Sequence, residues 1–116
     1  PIEQATKDFN DRKYASSLVH FSEAFPKQVD RIRKPGKKQI SGLLSLPSKY
    51  RAEVVFLVEL ERLMSKTKKS DKKSIRLGLE NLYKKIEGGE GLWVIIPAAR
   101  KSMVKDHIYR YLSDIR

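Results

Sequence analysis

Residues 49–66, KYRAEVVFLVELERLMSK, constrain the fold of this chain more than any other stretch. Val54, Leu57, Val58, Leu60 and Met64 occupy most of the circumference of a helix, and Arg51, Glu59, Arg62 and Lys66 leave only a narrow wet stripe. A helix that is apolar nearly all round is not stable against water and has to be enclosed by other elements. The rest of the sequence is therefore expected to supply one-sided helices that cover it.

Those helices are legible as apolar stripes. Tyr14, Leu18, Phe21 and Phe25 step by four, three and four, one face of a helix whose start is expected near Asp8 or Asp11 after an irregular step from Phe9. Pro26 ends that helix and opens a short second one carrying Val29 and Ile32, because its fixed φ suits a first helical position. KPGKK at 34–38 breaks the second helix, and Ile40, Leu43 and Leu44 make a third that stops around Pro47. Ser48 is placed as an N-cap for the central helix. Ile75, Leu79, Leu82 and Ile86 repeat the four-three-four step and run into Gly88-Gly89, a C-cap signal. Val104, Ile108, Tyr111 and Ile115 repeat it again after Pro97.

Only GEGLWVIIP at 89–97 resists this reading, because five apolar residues between glycine and proline fit a strand as well as a buried helical turn. The expected architecture is all-α, a compact bundle of five to six helices in a single domain over 1–116, with a short extended segment or hairpin as an option near 90–97. At 116 residues and 40% apolar content, the chain is long enough for one packed core.

Several function classes are excluded by what the sequence lacks. Without cysteine there are no disulfides and no thiolate metal sites, which suits a reducing compartment. The longest apolar runs, VVFLV and LWVII, are five residues each, far short of the roughly 20 a membrane span needs, so no membrane partner is expected. The start, PIEQATKDFND, is polar and acidic and does not read as a signal peptide. A cytoplasmic location, or a nuclear one in a eukaryote, is the expectation. There is no HExxH and no EF-hand spacing, so no metal and no cofactor are called for. GGEG at 88–91 follows a helix instead of preceding one, the wrong order for a phosphate-binding loop. The order helix, glycine turn, apolar segment would also suit the wing of a winged-helix domain.

Charge is the informative quantity. Twenty-five Lys and Arg against fourteen Asp and Glu give a net charge of +11, a self-repulsion that a polyanion would relieve. The excess is local. Seven basic residues and no acidic one lie between Arg31 and Ala52, and seven against Asp71 alone lie between Arg62 and Leu79. RIRKPGKK at 31–38 supplies Arg31, Arg33, Lys34, Lys37 and Lys38, and KTKKSDKK at 66–73 supplies Lys66, Lys68, Lys69, Lys72 and Lys73. Both contain turn formers, so both are expected to be exposed and mobile. Arg100, Lys101 and Lys105 open the last helix, where cations oppose the helix dipole and a bound phosphate would relieve them. Any reading of base sequence is expected from a helix over 72–87 in the major groove, with Lys73, Arg76, Lys84 and Lys85 as candidates and Asn81 as the one adenine-reading type.

These residues point to a small basic nucleic-acid-binding protein that contacts phosphates through Lys/Arg-rich loops and helix ends, DNA slightly preferred over RNA. Lysines outnumber arginines, and lysines bind phosphates as point charges, so backbone positioning should outweigh base readout. Two alternatives stand beside it. One is a protein-interaction module of the immunity or adaptor type that docks an acidic partner. The other is a small basic ribonuclease using His107, Tyr109 and Arg110, although their spacing on one helix aims them in different directions. No catalytic residue is assigned, since the two histidines, His20 and His107, are accounted for by packing or exposure. The aromatic residues lie mostly on or beside the apolar stripes, which favours a packing role over base stacking.

Overall fold

The computed structural model describes residues 1–68 and 70–115. Seven α-helices follow in order: α1 (Ile2–Asn10), α2 (Tyr14–Ala24), α3 (Pro26–Arg33), α4 (Lys38–Leu44), α5 (Arg51–Lys66), α6 (Lys72–Glu87) and α7 (Ala98–Asp114), with short 3-10 turns at Ser48–Tyr50 and Gly91–Ile95. The all-α class holds. The helix count is one above the expected range, and among the described residues there is no strand.

The additional helix is α1. Ala5 and Phe9, four apart, are buried on its inner face while the rest of the segment is mostly polar, which is why its stripe is hard to see in the sequence. What separates α1 from α2 is a Schellman turn. The Lys13 amide donates to the Asp8 carbonyl (2.8 Å) and the Arg12 amide to the Phe9 carbonyl (3.0 Å). Arg12 occupies the left-handed position with φ 63°, the place glycine usually takes. The irregular step after Phe9 is the trace of this turn.

The chain divides into two compact units, Pro1–Val58 and Glu59–Arg116, with the boundary inside α5. In the first unit, α1 and α2 form a hairpin joined by the buried Ser17 hydroxyl, which donates to the Ala5 carbonyl at 2.8 Å. Phe9, Tyr14 and Phe56 meet edge to face with centroids 5.4–6.0 Å apart, the arrangement aromatic quadrupoles prefer. α3 and α4 form a second hairpin, closed so tightly that a Cβ at Gly42 would stand 2.8 Å from the Arg31 Cβ. Residues 52–58 of α5 are buried without interruption, as the all-round apolar pattern requires.

In the second unit, Leu79 and Ile86 of α6 and Val104 and Ile108 of α7 are fully buried, the four-three-four stripes facing inward. α6 ends in a Schellman turn of the ordinary kind. The Glu90 amide donates to the Lys85 carbonyl, the Gly89 amide donates to the Ile86 carbonyl, and Gly89 supplies φ +64°.

The segment 91–95 is a 3-10 helix, so neither the extended segment nor the hairpin near 90–97 is found, and no wing follows α6. Its burial explains why. Trp93 and Ile96 are buried while Val94 is 71% exposed and Ile95 also faces outward, a period of three that matches the 3-10 repeat and not the alternation of a strand. The Glu90 and Trp93 carbonyls accept from the Trp93 and Ile96 amides. With no second strand to pair with, a local helical turn is the way this backbone satisfies its own polar groups.

Candidate nucleic-acid interface

The basic residues sort into three local environments. In the first unit, the end of α3, the connection 34–37 and the start of α4 enclose a concavity of about 310 Å3, lined by Arg31, Lys34, Lys37 and Lys38 with Asp30, Pro35 and Gly36. Arg33 is exposed on the same hairpin. The connection is pinned from both sides: the Gln39 side-chain amide donates to the Ile32 carbonyl at 2.8 Å, and Gly42 lets α4 close on the stem of Arg31. Lys34 Nζ lies 3.0 Å from Asp30 Oδ2, an exposed pair one helical turn apart. The end of α4 is held by Arg51, whose guanidinium donates to the Leu44 and Leu46 carbonyls at 3.0 and 3.1 Å. These are carbonyls at and just beyond the helix end, which no intrahelical amide reaches. Residues 31–38 are thus an anchored turn between packed helices.

In the second unit, Lys66 closes α5 and Lys68 follows it, both exposed. Lys69 lies outside the described residues. Lys72 and Lys73 are not loop residues, because α6 begins at Lys72. Asp71, the one acid in the run, is the N-cap: its carboxylate accepts from the Ser74 amide (3.0 Å) and the Ser74 hydroxyl (2.7 Å). The Ser74 hydroxyl bond, then its amide bond, with the Lys73 charge adding to them, hold the Asp71 carboxyl below the ordinary carboxylate value against a smaller cost of desolvation. Asp71 before an apolar-periodic run, with serine three residues on, was the readable signal for this start. From there Lys73, Arg76, Leu77, Glu80 and Lys84 fall on one exposed face of α6, with Asn81 at its margin. Leu77 is 59% exposed, an apolar residue on a charged face that the sequence stripes do not single out.

Lys85 is elsewhere. Its Nζ is 2.5 Å from Glu59 Oε2, and Glu59 also accepts from the indole N–H of the fully buried Trp93. Glu59, expected on a wet stripe, has a side chain only 14% exposed and acts as the polar junction of α5, α6 and the 91–95 turn.

Of the third group, Lys105 is engaged internally. Lys105 pairs with Glu87 at 3.7 Å and stands over the Tyr83 ring at 5.6 Å. Lys101 and Arg100 are half-buried, and Lys101 Nζ approaches the Gly89 turn. The Lys105 charge is thus accommodated by a carboxylate and a ring.

No family model matches this chain, and no curated protein or solved structure matches it either. The functional reading therefore rests on the residues themselves. Among the described residues no group of three or more His, Asp and Glu could hold a metal ion, and no helix is long and apolar enough to cross a membrane.

The titratable groups weighed for catalysis have local tasks. His20 Nδ1 is 3.2 Å from Glu23 and Nε2 is 3.7 Å from the buried Asp8. Asp8 accepts from Ser16 (2.6 Å) and from Gln4 (2.8 Å). The Ser16 bond, followed by the Gln4 bond and the charges of His20 and Lys13, draws the Asp8 carboxyl below its ordinary value although desolvation pushes the other way. The Ser16 hydroxyl donates to a carboxylate whose pKa is lowered, and so weak a base is poorly suited to draw the proton from a serine nucleophile. On α7, Tyr109 and Arg110 are exposed and His107 is half-buried, and steps of one and two residues turn the three to different sides of the helix.

Proposed function

We propose that this chain is a nucleic-acid-binding module that holds the phosphate backbone with two basic segments, 31–38 and 66–76, and that duplex DNA is its favoured partner. The observation that supports the reading best is electrostatic. Lys66, Lys68, Lys72, Arg76 and Lys84 are exposed and make no ion pair among the described residues, although the chain carries fourteen acids that could have been placed beside them. A concentration of uncompensated cations destabilises the protein alone and is relieved by a polyanion. Lys85 and Lys105, by contrast, are matched to Glu59 and Glu87 and belong to the fold. The outward face of α6, with Lys73, Arg76, Leu77 and Lys84, suits a major groove, where Arg reads guanine edges and an apolar side chain meets the thymine methyl.

The test is fluorescence polarisation with labelled duplex DNA, hairpin RNA and single strands over a range of salt. Affinity should fall with salt at a slope of about −0.9 per phosphate contacted on duplex DNA. Replacing Lys68, Lys72 and Lys73 with Gln should flatten that slope by about 3 if each contacts one phosphate, without lowering Tm. No salt-sensitive binding to any nucleic acid would overturn the proposal. Binding to an acidic protein that survives nuclease treatment would favour a protein partner in its place.

A further inference from the structure

The concavity between α3 and α4 differs in kind from the exposed face of α6, and we infer that it is a pocket for a phosphate monoester, the terminal phosphate of a nucleic-acid strand. The inference rests on the nucleic-acid reading for the source of the phosphate and on the hairpin's own geometry for the chemistry. A charged surface serves a polymer of phosphodiesters, each with one negative charge. A pocket enclosed by consecutive residues admits instead a group that projects from a chain end. Four cations line it against a single carboxylate. That surplus is better matched by a monoester, which carries −1.5 to −2 at neutral pH, than by one diester.

The backbone that carries the donors is also held before any ligand arrives. Arg31 springs from a helix whose partner touches its Cβ through Gly42, and the Gln39 bond to the Ile32 carbonyl fixes the connection from which Lys37 projects. A backbone ordered in advance loses less freedom on binding. Arg31 offers the planar fork that fits two phosphate oxygens, and Lys37 and Lys38 act as point charges. Lys34 is partly neutralised by Asp30 at 3.0 Å, so Asp30 weakens the pocket's field and competes with the ligand for Lys34. This makes Asp30 the diagnostic residue: its neutralisation should improve binding, which no loss of folding can imitate.

The experiment compares oligonucleotides of one sequence with 5′-phosphate, 3′-phosphate or hydroxyl ends, by polarisation at fixed ionic strength. In parallel, sodium phosphate is titrated against sodium chloride of equal ionic strength while the backbone amides of 31–38 are followed by NMR. Asp30→Asn should tighten binding of the phosphorylated end about two- to fivefold, the value of one exposed charge pair. Lys37→Glu with Lys38→Glu should abolish the preference for phosphorylated ends while leaving Tm unchanged. Shifts at 31–38 with phosphate alone, without end preference, would support the pocket with free phosphate as its ligand. Salt-sensitive nucleic-acid binding with no end preference and no phosphate-specific shift would overturn the pocket and leave the wider reading standing. The reverse result, phosphate-specific shifts with no nucleic-acid binding, would overturn the wider reading and keep the pocket.

Discussion

Replacing Glu59 tests the central polar junction of the second unit. The Glu59 carboxylate accepts the indole N–H of Trp93, a residue with no exposure, and pairs with Lys85. In Glu59→Leu the indole N–H keeps its buried position and loses its acceptor. A hydrogen bond to a charged acceptor contributes about 1.5–3 kcal/mol, and a buried donor left unpaired carries a desolvation cost of similar size. The pair with Lys85 adds little, because the lysine side chain is 40% exposed and returns to water. Its share is about 1 kcal/mol at most. The expected loss for Glu59→Leu is therefore about 2–4 kcal/mol, eased slightly by the added apolar surface. Glu59→Gln keeps a carbonyl oxygen for the indole and gives up only the charge, so about 1 kcal/mol is expected. Trp93 is the single tryptophan, which makes urea unfolding followed by its fluorescence a direct assay at the site. Leu within about 0.5 kcal/mol of the parent, or Gln as damaging as Leu, would refute the claim that the indole's acceptor is what matters.

Three further outcomes follow from local geometry. Arg12→Gly should be more stable than Arg12→Ala by about 0.5–1 kcal/mol, since both lose the arginine side chain, only alanine keeps the left-handed cost of about 1–2 kcal/mol, and glycine gives back part of that in unfolded-state entropy; alanine as stable as glycine would contradict the left-handed turn at this position. Gly42→Ala should destabilise by about 1–2 kcal/mol, because the new methyl meets the Arg31 Cβ and the Gln28 carbonyl and a helix-propensity gain of up to about 1 kcal/mol offsets only part of the overpacking; an unchanged Tm would mean the α3–α4 hairpin is looser than the contacts indicate. For pH, the Asp8 carboxyl is depressed in the folded state, so its stabilising contribution is present above the ordinary carboxylate pKa near 4 and is lost as pH falls through the lower folded value. Ser16→Ala should shrink that acid-side loss in a Tm-versus-pH series, and a series identical to the parent's would count against Ser16 as the main cause.

Much of the fold could be read from residue spacing because helical burial is periodic. The stripe Ile75, Leu79, Leu82, Ile86 marked α6, and its bounds at 72 and 87 fall where the Asp71 cap and the Gly89 turn place them. α1 was obscured because one helix of nine residues shows few apolar positions, and because an arginine stands where a glycine would have signalled the break. The 91–95 segment was ambiguous because a run of apolar residues carries no period until one knows which of them are buried.

For the basic residues the limit was different. Charge density along the chain located the two segments at 31–38 and 66–73, since composition alone decides where cations are dense. It could not say which cations are spent on the fold. Lys85 and Lys105 look like Lys84 and Lys73 in the sequence, yet carboxylates 26 and 18 positions away hold them. Nor could spacing show that Asp30, Lys34, Lys37 and Lys38 surround one hollow, because that depends on how closely α4 packs on α3 at Gly42. Periodicity and net charge are properties of the chain in one dimension and survive any fold. The pairing of a charge with its partner and the enclosure of a pocket are set by contacts between distant residues, so they were decided only when the helices packed.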